Sequence, residues 1–449
     1  MGKFFRYIIL FFSWCFLLFL PSEEVCAEGF YYPLDTDGEL VIVIDPGHGG
    51  TNLGADHNGF LEKEMNMVVA EAMKEELEKY EDVTVYLTHT SADTSMPIQE
   101  RADFAASVNA DFLFCLHFNM SPNNILFGSE VWVSAFGEEN RQGYRFGCVQ
   151  METMADMGLY IRGVKTRFGD NGRDYYGILR FCEEYDIPAA LIEHCHIDHE
   201  EDVGFCDSED DLVHFGIADA TSVAKFFGLS SRTLGVDYSG YELKELEPGA
   251  LYVQADISDP DICTIEEAYT DLDRSVLGIT LTAYDYDTPM LYYSYSIDGG
   301  ITYTPYLAWP NTDIMGGYSP DTFTFEIEVP EGVSPVVIVK AVNQYDRYTE
   351  SNLLDSLPMF VKPIEDLLPS EEQEPLDTVS GEESAAAETA PSAGFQAPVK
   401  PEGKEKNADF FGFLMICFFI ACVLFMALFI TNIIMAGKKS QKRRNRNKK

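Results

Sequence analysis

The chain has 449 residues and a formal net charge of −43, from 74 acidic and 31 basic side chains. Such an acidic protein repels phosphate backbones, so we do not expect a nucleic acid as a partner. Hydrophobic residues make up 46% of the chain and charged residues 23%. This composition excludes disorder throughout, and the length accommodates two folded domains with further attachments.

The first 27 residues are predicted to form a secretory signal peptide. A basic start, MGKFFR, precedes 14 uncharged, mostly apolar residues, YIILFFSWCFLLFL, and residues 25–27 (VCA) fit a cleavage site of small residues. We therefore expect the mature chain to begin at Glu28. The apolar run is too short to serve as a permanent membrane anchor.

Strand and helix patterns alternate over residues 38–230, the predicted catalytic domain. Short apolar runs predict strands at 40–45, 83–87, 112–118, 129–134 and 189–195. Helical spacing of apolar residues predicts helices at 62–79, 98–108, 138–157 and 211–227. This alternation predicts an α/β fold in which helices flank a mostly parallel sheet.

From residue 238 to 362 the pattern changes to short, aromatic-rich strands separated by turns. The segments SVLGITLTAYDYD, MLYYSYSIDGG, TFTFEIEVP and PVVIVKAVNQYD follow one another without a helical pattern. They predict a small β-sandwich of immunoglobulin-like character. Its aromatic side chains either stack on sugars or fill the core and surface of the sandwich, the role more typical of alternating aromatics: Tyr292, Tyr293, Tyr295 and Trp309.

The C-terminal part is predicted to attach the protein to a membrane. Residues 363–408 are rich in Glu, Ser, Ala and Pro, which predicts a disordered acidic linker. The uncharged apolar segment 410–436 is long enough for a transmembrane helix. Residues 437–449 carry eight basic side chains, which the positive-inside rule keeps in the cytoplasm. We therefore expect a single-pass protein of the cell membrane with an extracellular catalytic part and a cytoplasmic tail.

Four polar residues lie at or just beyond the carboxyl ends of predicted strands. His48 follows the first strand in VIVIDPGHGG, Glu62 opens the first helix, and His117 and Glu193 lie near the ends of two later strands. Open α/β sheets bind ligands at this edge, so we expect the four side chains to converge. Two His and one carboxylate are a ligand set for catalytic zinc, and a second carboxylate then transfers protons between water and a leaving amine.

Over roughly residues 40–228 the sequence resembles the zinc-dependent N-acetylmuramoyl-L-alanine amidases of the Amidase_3 family. Six segments occur in the family's order: VIVIDPGHGG, NGFLEKEMN, ERADFAASVNADFLFCLHFN, GSEVWV, RGVK and PAALIEHC. The resemblance implies that three residues bind zinc, namely His48, Glu62 and His117. It also implies that Glu193 is the catalytic acid/base and that the substrate is peptidoglycan, cleaved between N-acetylmuramic acid and L-alanine.

Two other residues match family positions. Asn119, two residues beyond His117, is expected either to hydrogen-bond the substrate or to hold the adjacent loop. For Arg101, a solvated helix arginine or a structural ion pair is at least as well supported as a functional role. His57 is an alternative zinc ligand, but it lies in a polar turn, and the resemblance favours Glu62.

The sequence departs from the family pattern directly after the catalytic glutamate. HCHIDH occupies residues 194–199, where the family continues with Gly-Phe and a small polar turn. His194, His196 and His199 therefore indicate either a second metal site or histidines that only pack. Because residues i and i+2 of a strand share one face, His194 and His196 are expected to point the same way.

These observations predict a membrane-anchored zinc amidase that acts on peptidoglycan. Two alternatives stay open: a catalytically silent or autoinhibited protein that binds the wall or recruits a partner, and a zinc peptidase that cuts stem peptides. All four site residues are present, which favours an enzyme over a silent protein. The polar stretch 167–177, RFGDNGRDYYG, is predicted to form a rim or lid of the site. Whether a protein partner activates the enzyme is left open by the sequence.

Overall fold

The computed structural model describes residues 39–361. The predicted signal peptide (1–27), linker (363–408), transmembrane helix (410–436) and basic tail (437–449) lie outside the described residues. Within the part of the chain that the structure describes, no helix combines the length and the apolar composition needed to cross a membrane.

The α/β region comprises residues 40–237. Its strands are β1 (Leu40–Pro46), β2 (Asp56–His57), β3 (Phe60–Leu61), β4 (Val83–Leu87), β5 (Phe112–Asn119), β6 (Ser129–Val133), β7 (Ile161–Lys165), β8 (Ala189–His196), β9 (Ser230–Ser231) and β10 (Val236–Asp237). Its helices are α1 (Glu62–Leu77), α2 (Ile98–Ser107), α3 (Gly137–Asp156), α4 (Gly177–Glu183), α5 (Glu200–Val203) and α6 (Glu209–Phe227), with a 3₁₀ turn at Pro122–Asn124.

A six-stranded sheet with the order β4-β1-β5-β8-β6-β7 forms the centre of this region. Strands β4, β1, β5 and β8 are mutually parallel, β6 runs antiparallel to β8, and β7 runs parallel to β6. Strands such as β1 are almost wholly buried, which is why they consist of continuous Val and Ile runs. The predicted α/β fold with a mostly parallel sheet is confirmed.

Helices cover both faces of the sheet. Helices α1, α3 and α6 pack on one face with Ile42 and Phe114, whereas α2 and α4 pack on the other with Val43 and Leu113. Helix α1 forms because apolar residues recur every four positions and give it a single buried stripe: Met65, Val69, Met73 and Leu77. The face occupied by α2 and α4 is the one that carries the candidate site.

The predicted helices and strands of this region lie within two residues of their observed bounds. Strand β7, helix α4 and the short β2–β3 hairpin were not predicted. β7 has the sequence IRGVK, and its Arg, Gly and Lys conceal the apolar strand pattern. α4 has only seven residues, too few for helical periodicity to be distinct.

The β region comprises residues 262–361. Its strands are β11 (Ile262–Asp271), β12 (Val276–Tyr284), β13 (Met290–Ser296), β14 (Leu307–Ala308), β15 (Thr322–Glu328), β16 (Ile338–Asn343) and β17 (Tyr348–Glu350). They form two antiparallel sheets, β11-β12-β15 and β14-β13-β16-β17. Residues of both sheets, such as Leu281 and Val339, share one hydrophobic cluster. The immunoglobulin-like character of this arrangement stays a prediction.

The four aromatic residues singled out in the sequence pack in or against hydrophobic clusters. Trp309 is buried in the core between the sheets, and Tyr293 and Tyr295 pack partly buried against that core. Tyr292 is also buried, in an apolar cluster that it shares with Phe127 of the α/β region. Trp309 and Tyr292 are therefore structural, because buried rings are not accessible for stacking on a sugar.

Candidate active site

The candidate site begins with the loop that follows β1. The buried carboxylate of Asp45 accepts hydrogen bonds from Thr88 Oγ1 at 2.6 Å and from Arg101 Nη1 at 2.9 Å. Arg101 also donates to the carbonyl oxygens of Pro46 and His48. These contacts support the structural ion pair among the interpretations of Arg101. Its charge-assisted hydrogen bonds hold the loop against helix α2.

The backbone turns sharply at His48. His48, Gly49 and Gly50 have φ angles of 67°, 122° and 62°. A left-handed conformation costs a residue with a Cβ about 1–2 kcal/mol, and such strain is characteristic of functional sites. The turn places the imidazole of His48 edge-on to that of His117, with ring centroids 4.8 Å apart.

Three side chains converge at this turn. Glu62 Oε2 lies 3.0 Å from His48 Nε2, and Glu62 Oε1 lies 2.8 Å from His117 Nδ1. Ligand atoms of the three side chains all lie within 4.8 Å of one another. Over residues 39–361, no other set of three His, Cys, Asp or Glu side chains is arranged so closely. The structure thus brings together the three residues that the sequence analysis proposed as zinc ligands.

Glu62 is prepared to act as an ionised ligand. The backbone amides of Ala55 and Phe118 donate to its two carboxylate oxygens at 2.7 and 3.1 Å. Burial alone would raise the pKa of Glu62, but hydrogen bonds from His117 and His48 lower the pKa well below its usual value. Two imidazole nitrogens and one ionised carboxylate form a donor set that suits zinc. The residues present therefore fit this ion.

Glu193 lies beside the three candidate ligands. It is the register partner of His117 in the parallel pair β5–β8, and its Oε2 is buried without a hydrogen-bond partner. Burial, together with the negative charges of Glu62 and Glu130, raises the pKa of Glu193 well above its usual value. A carboxyl group that binds a proton readily is suited to general acid/base chemistry.

The candidate ligands and Glu193 line one cleft with a volume of about 670 Å³. This volume lies in the range typical of small-molecule sites. Tyr176 and Gly177 contribute to its wall, so the end of the stretch 167–177 forms part of the rim. Phe118 and Met120 supply apolar surface. The site therefore combines a polar floor with a partly apolar wall.

Comparison with known proteins identifies the segment that contains this cleft. Residues 42–225 match the family Amidase_3, described as N-acetylmuramoyl-L-alanine amidase. The family predicted from the sequence motifs is thus confirmed for this segment, which we call the amidase domain.

Two relatives illustrate the extent of the similarity. N-acetylmuramoyl-L-alanine amidase LytC of Bacillus subtilis (strain 168) is 30% identical over 161 residues, which cover 36% of this chain and 30% of LytC. N-acetylmuramoyl-L-alanine amidase CwlM of Bacillus licheniformis is 29% identical over 190 residues, which cover 42% of this chain and 69% of CwlM. The chain therefore spans less than a third of the length of LytC.

Solved structures match a similar share of the chain. N-acetylmuramoyl-L-alanine amidase AmiC2 of Nostoc punctiforme has 27% sequence identity and a TM-score of 0.37, and the match covers 42% of this chain and 97% of that chain. The catalytic domain of CwlV from Bacillus (Paenibacillus) polymyxa has 24% identity and a TM-score of 0.36, with coverages of 42% and 97%.

The histidines after Glu193 serve the packing of the amidase domain. His194 lies 2.8 Å from Asp219 Oδ2 through Nε2 and 2.9 Å from the carbonyl oxygen of His117 through Nδ1. His196 instead places Nδ1 3.2 Å from the carbonyl oxygen of Gly128. The prediction that His194 and His196 share one face is wrong, because β8 contains one extra residue opposite β5 and this β-bulge breaks the alternation.

His199 is likewise structural. Its Nδ1 accepts a hydrogen bond from the amide of Glu201 at the start of α5, and its ring stacks on Phe127 with centroids 4.8 Å apart. His194, His196 and His199 thus make the contacts of packed, hydrogen-bonded side chains. Over residues 39–361, no second group of metal-ligand type occurs.

Asn119 and His57 occupy different environments. Asn119 lines the cleft, where its Nδ2 donates to Glu130 Oε1 at 3.2 Å and its Oδ1 accepts from the amide of Met120 at 2.9 Å. It therefore holds the adjacent loop, whereas its contact with substrate stays a prediction. His57 lies in β2, where its Nε2 is 2.8 Å from the side-chain nitrogen of Asn58, outside the ligand cluster.

A group of buried charges next to the site was not predicted from the sequence. Glu130 in β6 and Arg162 and Lys165 in β7 are all buried. The sequence does hint at these charges, because SEVWV and RGVK are strand-like segments that contain charged residues. Few positions in these segments face solvent. Buried charges of this kind occur in pairs, so the two segments together indicated an internal ion pair.

Gly47 offers a test of the ligand cluster. A Cβ at residue 47 would lie 2.4 Å from His117 Cε1 and 2.6 Å from the carbonyl oxygen of Leu116. Gly47→Ala is therefore expected to displace the His117 ring and weaken zinc binding by about 10- to 100-fold, as for changes in groups that orient a ligand. Chelator-competition titration with zinc measures this effect. Gly204→Ala is the control, because a Cβ there meets no atom within 4 Å, and equal affinities in both variants would contradict the assignment.

Proposed function

We propose that this chain is a zinc amidase that hydrolyses the amide bond between N-acetylmuramic acid and L-alanine in peptidoglycan. The observation that carries the proposal is the convergence of His48, Glu62, His117 and Glu193 at one cleft of the amidase domain. The family and its named relatives support the enzyme class, N-acetylmuramoyl-L-alanine amidase.

Each side chain has a role that follows from its surroundings. His48, Glu62 and His117 would hold the ion, since His48 Nε2 and His117 Nδ1 both face the carboxylate of Glu62. Zinc in such a site polarises a carbonyl group and lowers the pKa of water. Glu193 accepts the proton of the water that attacks the lactyl carbonyl carbon. It then donates this proton to the L-alanine nitrogen as the carbon–nitrogen bond breaks.

Product analysis with purified peptidoglycan tests the proposal. We expect the full-length chain to release stem peptides with a free L-alanine amino terminus, identified by mass spectrometry. Removal of metal with a chelator is expected to abolish this release, and added zinc to restore it. Fragments cut within the stem would make the protein a peptidase. Zinc binding without any cleavage would identify a silent or autoinhibited wall-binding protein.

We also propose that the protein is extracytoplasmic and membrane-anchored. The apolar segment 410–436 with its basic flank supports an anchor, and the signal-like residues 1–27 support export. Protease treatment of intact cells is expected to digest the amidase domain and to spare an epitope tag on the C-terminus. Retention of the intact amidase domain after this treatment would contradict the proposed topology.

The β region is proposed to be an immunoglobulin-like sandwich. Its first, second and fifth strands form one sheet, and its third, fourth, sixth and seventh strands form the other. This division of strands supports the proposal, because Greek-key sandwiches of the immunoglobulin type separate their strands in this way. An experimental structure with a different strand order would contradict it.

A further inference from the structure

Two carboxyl groups face each other across the strands β6 and β8. Glu130 is the register partner of Glu193 in this antiparallel pair. Glu193 lines the cleft, whereas Glu130 is buried behind it and contacts the cleft residue Asn119. Directly opposed side chains have Cβ atoms about 5 Å apart, and like charges at this position are unfavourable. Glu130 therefore needs partners that neutralise its charge and keep it in place beside Glu193.

Four side chains of the amidase domain hold Glu130. Arg162 Nε and Lys165 Nζ donate to its Oε2 at 2.8 and 2.7 Å. Asn119 Nδ2 and Trp132 Nε1 donate to its Oε1 at 3.2 and 3.1 Å. Burial alone would raise the pKa of Glu130, but the charges of Arg162 and Lys165 lower the pKa well below its usual value. Glu130 is therefore an ionised, fully hydrogen-bonded neighbour of the catalytic carboxyl.

The β region holds Arg162 from the other side. Arg162 Nη2 donates to Asp346 Oδ1 and Oδ2 at 3.0 and 2.8 Å, and Arg162 Nη1 donates to Tyr292 Oη at 2.8 Å. The Tyr292 hydroxyl in turn donates to the carbonyl oxygen of Phe127. The guanidinium group thus has Glu130 on one edge and two β-region side chains on the others, an arrangement that fixes its position and its plane.

The contact between the two regions is closely fitted around Arg162. Gly163 has a φ of 91°, and a Cβ there would lie 2.6 Å from Gln344 Nε2. Gln344 itself donates to the carbonyl oxygen of Arg162 at 3.2 Å, and the Tyr345 hydroxyl accepts from the amide of Thr166 at the same distance. The β region therefore packs closely against β7, which is the edge strand of the central sheet.

We propose that the β region positions the catalytic site: Asp346 and Tyr292 fix Arg162, and Arg162 fixes Glu130 beside Glu193 and Asn119. Asp346 and Tyr292 are positioning residues, since neither contacts the cleft. The inference rests on the proposed function, because it assigns to the β region a part in the same hydrolysis. It predicts that a change at the surface between the two regions slows the reaction without removing a catalytic group.

Asp346→Asn in the full-length chain tests this role. The asparagine has the same size but cannot accept two charge-assisted hydrogen bonds from Arg162. We expect kcat on soluble muropeptides to fall about tenfold, as for small displacements of catalytic groups, with KM within about twofold and zinc content unchanged. Asp346→Glu, which keeps the charge, is expected to recover part of the lost rate.

Asp259→Asn is the matched control. Asp259 forms an exposed ion pair with Arg347, the residue next to Asp346 in the chain, so this variant loses the same charge without touching Arg162. It is expected to retain the wild-type kcat. A kcat for Asp346→Asn equal to that of the control would overturn the inference, even if the unfolding temperature of Asp346→Asn is lower. Tyr292→Phe, which removes a single hydrogen-bond acceptor from Arg162, is expected to give a smaller loss of kcat.

Hydrogen exchange separates failure of this inference from failure of the proposed function. We expect faster amide exchange in the peptide 189–196, which contains Glu193, in Asp346→Asn than in Asp259→Asn. Unchanged exchange would overturn the inference whether or not the chain cleaves peptidoglycan. A wild-type chain that binds zinc and releases no stem peptide would contradict only the proposed function.

Discussion

Glu193→Gln is expected to lower the rate of amide hydrolysis about a thousandfold, the middle of the range for loss of a general acid/base. This loss corresponds to about 4 kcal/mol of transition-state stabilisation. Glutamine has nearly the same shape, but it neither takes the proton of the attacking water nor returns one to the leaving nitrogen. Zinc content should be unchanged, because the ligand atoms belong to three other side chains. Single-turnover kinetics and metal analysis measure the two quantities.

The protein fold should tolerate this substitution. Glu193 Oε2 makes no hydrogen bond, so the amide oxygen of glutamine takes its place without losing a partner and without burying an unsatisfied N–H donor there. We therefore expect the unfolding temperature of Glu193→Gln to match that of Glu200→Gln, which changes an exposed glutamate at the start of α5. A Glu193→Gln variant that retains more than about a tenth of the wild-type rate would exclude Glu193 as the acid/base, since this role contributes at least about a hundredfold.

The parts of the site that the sequence predicted correctly share one physical basis. His48, His117 and Glu193 follow apolar runs that form the parallel strands β1, β5 and β8, and the carboxyl ends of parallel strands meet at one edge of a sheet. Glu62 opens an amphipathic helix whose apolar stripe fixes its orientation. Convergence therefore follows from local patterns and from one rule of topology.

The parts that the sequence did not predict depend on contacts between distant residues. Arg162 and Asp346 are 184 positions apart, and no local pattern links β7 to a turn in the β region. The bulge in β8 that separates His194 from His196 has no Gly or Pro to mark it. Such features arise when preformed elements pack, so propensity and periodicity carry no information about them.

Buried charge is a signal that can still be extracted from the sequence. Glu130, Arg162 and Lys165 lie in short strand-like segments that leave few exposed positions. Since isolated charges are too costly to bury, a carboxylate in one such strand and two cations in another predict an internal ionic cluster. That Asp346, in a turn of the β region, completes the cluster is visible only in the folded structure.

Glu62→Gln is expected to weaken zinc binding at least about a hundredfold, because even changes in groups outside the ligand set cost 10- to 100-fold. Glu62 accepts hydrogen bonds from the backbone amides of Ala55 and Phe118. A glutamine presents one NH₂ group, which must face one of these donors and leave it unsatisfied. A buried unsatisfied donor costs about 1–3 kcal/mol, so the metal-free variant should also unfold at lower temperature.

The pH dependence of metal-free stability should change with this substitution. The folded-state pKa of Glu62 is lowered despite burial by the hydrogen bonds from His117 and His48. A carboxylate of lowered pKa contributes stability above its unfolded-state pKa of about 4.3, and this contribution is lost as the pH falls toward the folded-state value. The stability difference between wild type and Glu62→Gln should therefore be largest near neutral pH and shrink below about pH 4. Thermal unfolding of the chelator-treated proteins over this range measures it.

Two matched variants decide whether Glu62 is the ligand. Glu64→Gln changes an exposed glutamate in the same helical turn, and His57→Ala removes the alternative ligand, which lies outside the cluster. Both are expected to bind zinc as the wild type does. If Glu62→Gln retains zinc and His57→Ala loses it, the third ligand is His57 of the β2–β3 hairpin. The loop between His48 and α1 would then have to adopt a different conformation. Loss of zinc in Glu62→Gln alone would identify Glu62 as the third ligand. Glu193 would then be free to act as the acid/base, as the proposed hydrolysis requires.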